Sequence, residues 1–376
     1  MIRYLIVILE HDSAPFCHYD VKERRVPGLM PLDVLEKSVS FAIRNAIPVN
    51  FLCGNTALPP GYENLIASVD HVRMVPLARA RSGEEAVFIM DGEEDLARVH
   101  VLETGGLNNV ILRVGKSEVP SLPATVEKLL GRFKRLNIIL KDPGGFTEQD
   151  FSVYADGLED VRRIVAGEYR KGNFLEISTL TDRVFLTNMN NCNAGTAHLT
   201  VAPNGRFYLC PAFYYENDQE GLADLDGAGE RKNARLLALE HAPVCRNCDA
   251  WHCKRCVWLN RKLTSELNTP SHQQCVLAHL EREASRKFLT DIGPECGLTD
   301  RVTPIPKLDY LDPFDIISDR SRSPGEKEEH FAGLLARPLE DVPVRDLLRQ
   351  IYTLDPGILR RLKELNRTVV DLEDGK

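Results

Sequence analysis

The sequence predicts an α/β protein, either a degenerate partial (β/α) barrel or an open parallel sheet, followed by a cysteine-rich metal-binding region and a short helical tail. Three observations carry that expectation. Short apolar runs recur through the first half of the chain, stretches of helical spacing lie between several of them, and seven cysteines crowd between Cys192 and Cys275. Runs that stay apolar at nearly every position mark strands covered on both faces, and strands alternating with helices build parallel sheets.

The runs are YLIVIL (4–9), VNFLCG (49–54), AVFIMD (86–91), NVILRV (109–114), LNIILKD (136–142) and NFLEISTL (173–180). Leu32, Leu35, Val39 and Ile43 follow Pro31 at helical spacing, and Val126, Leu129, Leu130 and Phe133 precede the fifth run in the same way. Residues 1–185 are expected to form this α/β domain. From 186 to 297 cysteines, turn residues and short segments take over, leaving little room for a conventional core, so that bound metal has to hold the region together. Residues 298–330, rich in proline and charge, read as a linker. In 331–376, Leu347, Leu348, Ile351 and Tyr352, then Ile358, Leu362 and Leu365, suggest two short helices broken near Pro356. The glycine-rich stretches ETGGLNN (103–109) and KDPGGF (141–146) do not form a nucleotide-binding fingerprint and read as turns.

Composition narrows the function. The chain has 376 residues, 43% hydrophobic and 27% charged, which suits a globular protein of about two domains. A net charge of −8 argues against a nucleic-acid binder, which needs a basic surplus to neutralise phosphates. Glu10, His11 and Asp12 follow the first apolar run where a signal peptide would carry small residues. No run approaches the ~20 apolar residues of a membrane span. The chain is therefore read as cytoplasmic, with its ten cysteines reduced and available to metal rather than paired as disulfides.

The stretch CRNCDAWHCKRC (245–256) places four cysteines in one short segment. Cys192, Cys210, Cys245, Cys248, Cys253, Cys256 and Cys275 form the group, and Cys17, Cys53 and Cys296 lie outside it. Seven thiols are too many for one tetrahedral ion. Each CxxC pair turns two sulfurs toward a common centre and distant cysteines complete the sets, which points to two centres, iron–sulfur or zinc. His252 and His272 are alternative ligands, whereas His198, His241 and His279 read as ordinary helix or loop residues. Trp251 and Trp258 are placed to shield sulfurs from water. Arg246, Lys254, Arg255, Arg261 and Lys262 either offset the charge of the centres, grip an acidic peptide, or form a solvated face, the commoner role of such residues.

The spacing resembles the SPASM domain attached to radical S-adenosylmethionine enzymes that modify peptides. CNAGTAHLTVAPNGRFYLC matches its first half, with Cys192, twelve residues, Gly205, four residues and Cys210. The second half departs from the pattern. Four residues separate Cys248 from Cys253 and two separate Cys253 from Cys256, one fewer in each interval, before Cys275 closes the set. The resemblance implies that Cys245, Cys248, Cys253 and Cys275 bind one [4Fe–4S] cluster. Cys192, Cys210 and Cys256 would then supply three ligands to a second, its fourth position open or filled from outside, or by Asp182, Asn190, Asn191 or His198. The CxxxCxxC motif that holds the S-adenosylmethionine-cleaving cluster of those enzymes is absent.

YLIVILEHDSAPFCHYD, LMPLDVLEKSVSFAIRN and TPSHQQCVLAHLEREASRKF resemble the proteins called CXXX repeat peptide maturases over about residues 1–290. That resemblance implies an accessory subunit. A radical S-adenosylmethionine protein would be its partner, a ribosomally made Cys-repeat precursor peptide its substrate, and a thioether or related crosslink the product. Two other readings stay open: a zinc-stabilised interaction protein, and a stand-alone metalloenzyme. Cys17 and His18 follow the first strand, where α/β folds place functional groups, and are candidates for a substrate or partner contact or for a structural role.

Overall fold

The computed structural model describes residues 2–21, 28–80, 85–92, 95, 96, 99, 107–225, 234–293 and 302–305. All elements below belong to the unit Met1–Lys307. The expected helical tail lies outside the described residues, as do most of the expected linker and residues 103–106 of the ETGGLNN stretch, whose last three residues, Leu107, Asn108 and Asn109, open a strand instead of a turn.

Ten strands form one sheet: β1 (Tyr4–Ile8), β2 (Val49–Leu52), β3 (His71–Pro76), β4 (Val87–Asp91), β5 (Leu107–Val114), β6 (Phe133–Leu140), β7 (Glu176–Ile177), β8 (His198–Val201), β9 (Arg206–Tyr208) and β10 (Ala223–Asp224). Their order is β10-β9-β8-β1-β2-β3-β4-β5-β6-β7. From β8 to β7 every pairing is parallel, and β9 and β10 add antiparallel strands at the other end. The sheet continues past residue 185, since Tyr4 pairs with His198 and Val7 with Val201.

Eight α-helices accompany it among the described residues: α1 (Leu32–Arg44), α2 (Pro60–Ala67), α3 (Leu122–Leu129), α4 (Glu148–Arg170), α5 (Asp182–Phe185), α6 (Pro211–Glu216), α7 (Val257–Thr264) and α8 (His272–Ile292). Alternation sorts the strand residues. Leu5, Val7 and Leu9 pack with Leu35 and Val39 of α1, Val126 of α3, Leu158 and Val161 of α4 and Phe288 of α8 in one core. Ile8, Leu52, Met74, Ile89 and Ile111 turn to the other face and meet Tyr208, Phe213, Tyr214, Val257, Trp258 and Leu259. Continuous apolar runs arise because both faces are covered.

Some expectations change. Phe133 opens β6 instead of extending the helix, which ends at Leu129 before Gly131, held at φ +74 where a Cβ is disfavoured. In NFLEISTL only Glu176 and Ile177 form a strand. The cysteine-rich region also shares a packed core with the α/β half, because α6 and α7 bury Phe213, Tyr214, Trp258 and Leu259 against one face of the sheet. KDPGGF is a turn, with Asp142 left-handed at φ 40 before the short 3-10 segment Pro143–Gly145. Among the described residues no helix is long and apolar enough to cross a membrane.

Candidate metal centre

The site is built first from the loop after β1. Ser13 ties its start, with Oγ donating to the carbonyls of Glu10 and Leu52, each at 3.0 Å. The chain then crosses to the far strands of the sheet. The fully buried Arg113 of β5 donates from Nε to the Cys17 carbonyl at 3.1 Å, from one terminal nitrogen to the Tyr19 carbonyl at 2.7 Å and to Asp20 at 2.5 Å, and from the other to Asp91. His18 Nδ1 lies 2.8 Å from the Leu140 carbonyl at the end of β6, and as a carbonyl only accepts, Nδ1 donates. Cys17 is thereby fixed from two strands.

Three other thiols reach the same place from the second half of the chain. Cys192 precedes β8 and donates its backbone N–H to Lys254 at 2.9 Å, while Asn190 donates to Trp251 at 2.8 Å. That pairing lays residues 190–192 along the Cys-rich stretch. Cys210 and Cys256 stand immediately before α6 and α7. Arg255, between Cys253 and Cys256, holds a left-handed φ of 43 and anchors its guanidinium on Leu237 O at 2.6 Å and Asn268 at 3.1 Å.

Cys17, Cys192, Cys210 and Cys256 line one cavity of about 320 Å³ with Tyr4, Ile6, Ile111, Asn137, Ile139, His198 and Trp258. Side chains of β1 and β6, five places apart in strand order, face this same space, so the sheet curls around it. The thiols interact. The Cys17 thiol is held below its ordinary value by its hydrogen bond with Cys256, which raises the Cys256 thiol in turn. Burial, then the neighbouring Cys17, pushes Cys192 up to about 11, and burial, then Cys192 and Cys17, raises Cys210.

A second group forms around Cys245, Cys248 and Cys253. Cys245 and Cys253 are each pushed up to about 12, by burial first; Cys248 adds to the effect on both, and the charges of Cys245's neighbours include Cys253. Asp249 locks this loop, because Arg282 donates from Nε to its carboxylate at 2.8 Å and Arg183 donates from Nε to its main-chain carbonyl at 2.6 Å. The Arg183 guanidinium lies 4.0 Å from the centre of the Trp251 ring. The Ala250 N–H reaches Cys248 Sγ at 3.4 Å. Cys275 sits in the first turn of α8, and His279, one turn further on, brings Nε2 to 3.6 Å from Cys248 Sγ.

The other sequence candidates are accounted for as follows. Asp182 pairs with Arg135 at 2.8 Å and Lys254 at 3.9 Å. Asn191 accepts from the Asn193 N–H at 2.9 Å. His198 opens β8, stacks on Tyr4 and shares a 2.9 Å hydrogen bond with its hydroxyl. His252 is buried with Nε2 3.0 Å from Glu281, and His272 lies 3.6 Å from Glu148. Arg261 pairs with Glu216 and Glu220, and Lys262 with Asp142, so these two cations serve ion pairs. Cys296 lies outside the described residues. Cys17 is the residue that the spacing of the cysteines did not assign to a centre, and its position at the carboxyl end of the first parallel strand was the available signal.

The donor chemistry fits a thiolate-bound group. Cysteine thiols gathered in two groups, one of them lining a single cavity, are the donors that soft metal centres take as thiolates. Among the described residues no three His, Cys, Asp or Glu side chains draw together as a single bound ion requires. The cavity spans about ten times the ~30 Å³ that one water occupies in the liquid.

The sequence matches no protein-family model and no curated protein. In fold the chain is similar to native anSMEcpe with bound AdoMet, at 13% identity and a TM-score of 0.54, covering 77% of this chain and 99% of that one. It is likewise similar to native anSMEcpe with bound AdoMet and Cp18Cys peptide, at 13% identity and a TM-score of 0.56 over 78% and 99%. This mixed α/β chain, with its ten-stranded sheet, therefore shares the overall fold of anSMEcpe.

Proposed function

We propose that this chain is the accessory subunit of a radical S-adenosylmethionine peptide maturase, with two [4Fe–4S] clusters held in a SPASM-like cysteine-rich domain and a Cys-repeat precursor peptide as its substrate. The observation that carries the reading is the convergence of Cys192, Cys210 and Cys256 on a cavity at the inner face of a sheet of this fold. The peptide-bound state of anSMEcpe supports a peptide as the partner. The missing CxxxCxxC motif supports leaving S-adenosylmethionine cleavage to a second subunit.

Such clusters, when bound, transfer single electrons. The chain's own part is to hold and shield. Its cysteines anchor the centres, Trp258 and Ile111 wall off water, and Asn137 and Asn190 offer amides to the cavity. A neighbouring cavity of about 550 Å³ shares His18, Tyr19, Ala212 and Trp258 with the first and carries Asp20, Asp142, Glu216 and Asp218, which gives a peptide a polar approach. One observation bears on the other centre: His279 Nε2 lies 3.6 Å from Cys248 Sγ, so a histidine nitrogen is at hand there beside the candidate ligand Cys275.

The test is anaerobic incubation with S-adenosylmethionine and a strong reductant. The isolated chain is expected to form no 5′-deoxyadenosine, and a co-expressed radical S-adenosylmethionine subunit to form it. Formation by this chain alone contradicts the accessory role.

A further inference from the structure

We infer that Cys17 is the fourth protein ligand of the centre held by Cys192, Cys210 and Cys256, and that Arg113 positions it. The inference rests on the proposed function in naming the centre iron–sulfur; its test reads ligand loss from metal content and spectra, separately from the activity that tests that function. The sequence pattern left that position open, or gave it to Asp182, Asn190, Asn191, His198 or an outside thiolate.

The geometry favours Cys17. It lines the same cavity as the three cysteines, within hydrogen-bonding reach of the Cys256 thiol, and it arrives from the other half of the chain. Its loop is pinned: Arg113 holds the carbonyls of Cys17 and Tyr19, and His18 is fixed on the carbonyl of Leu140. The competing side chains are engaged elsewhere. Asp182 is paired with Arg135, Asn191 caps Asn193, and His198 is bonded to Tyr4. Asn190 offers an amide, a poorer donor than a thiolate to soft metals. On binding, the Cys17 thiol gives its proton to solvent as its sulfur–metal bond forms. Four protein thiolates close the centre, so a substrate cysteine has no position on it, and the centre relays electrons or braces the fold.

The experiment compares full-length wild type, Cys17→Ala, Cys17→Ser and Cys53→Ala, purified anaerobically, by metal and acid-labile sulfide analysis and by electron paramagnetic resonance. Cys53 is buried with its thiol 3.9 Å from the Phe51 carbonyl and serves as the control for loss of a thiol. The expected result is that both Cys17 variants lose about half of the bound metal or change the spectrum of one centre, with circular dichroism and the spectrum of the other centre unaltered, while Cys53→Ala matches wild type. Cys17 variants with wild-type metal content and spectra overturn the inference and leave the accessory reading standing. A wild type with two zinc ions and no sulfide, from which Cys17→Ala removes one zinc, does the reverse. Wild-type protein without metal overturns both.

Discussion

Arg113 of β5 donates from Nε to the main-chain carbonyl of Cys17 across 3.1 Å, tying the far side of the sheet to the loop that follows its first strand. The same guanidinium, fully buried, also binds Tyr19, Asp20 and Asp91. One side chain thus sets the position of a cavity thiol through four acceptors.

Replacing Arg113 with Lys removes the planar fork that reaches these acceptors together. The expected cost is about 2–3 kcal/mol in urea unfolding, the scale of a hydrogen bond to a charged group. The spectrum of the Cys17 centre should shift while that of the Cys245 group stays fixed. Equal disturbance of both spectra would make Arg113 a general structural residue.

Asp249 is the corresponding lock on the other group. Asp249→Asn leaves Arg183 and Arg282, both nearly buried, without their carboxylate. Removing one partner of a buried ion pair costs on the order of 3–5 kcal/mol. Denaturant unfolding of the metal-loaded protein checks this, and a loss below about 1 kcal/mol, the scale of an exposed pair, would contradict it.

Cys275 and His279 compete for one role. The iron–sulfur reading predicts that Cys275→Ala loses about half of the bound metal and that His279→Ala retains it, measured by metal analysis of the two purified variants. The opposite pattern assigns the first centre to a Cys₃His zinc site.

Much of the sheet was legible. YLIVIL, VNFLCG, AVFIMD, NVILRV and LNIILKD became β1, β2, β4, β5 and β6, because strands buried on both faces write themselves as unbroken apolar runs. β3 was hidden: HVRMVP carries Arg73 and an exposed Val72, so it lacks that mark. β8 to β10 are only four, three and two residues long, too short to show a period. For the site, local spacing grouped Cys192, Cys210 and Cys256, which the structure brings to one cavity. Cys17 was out of reach of spacing, since its nearness to Cys256 follows from β8 pairing beside β1 and from the curl that carries β6 over the same space. His198 was read from spacing as an ordinary residue and entered only as one of four candidate fourth ligands, for the same reason: its place facing the cavity follows from its pairing with Tyr4.

The central claim is an iron–sulfur accessory subunit, and the most direct measurement is the iron, zinc and acid-labile sulfide content of anaerobically purified full-length protein. The account predicts iron and sulfide in near-equal amounts, about eight of each per chain for two [4Fe–4S] clusters. About two zinc ions per chain with no sulfide would contradict it.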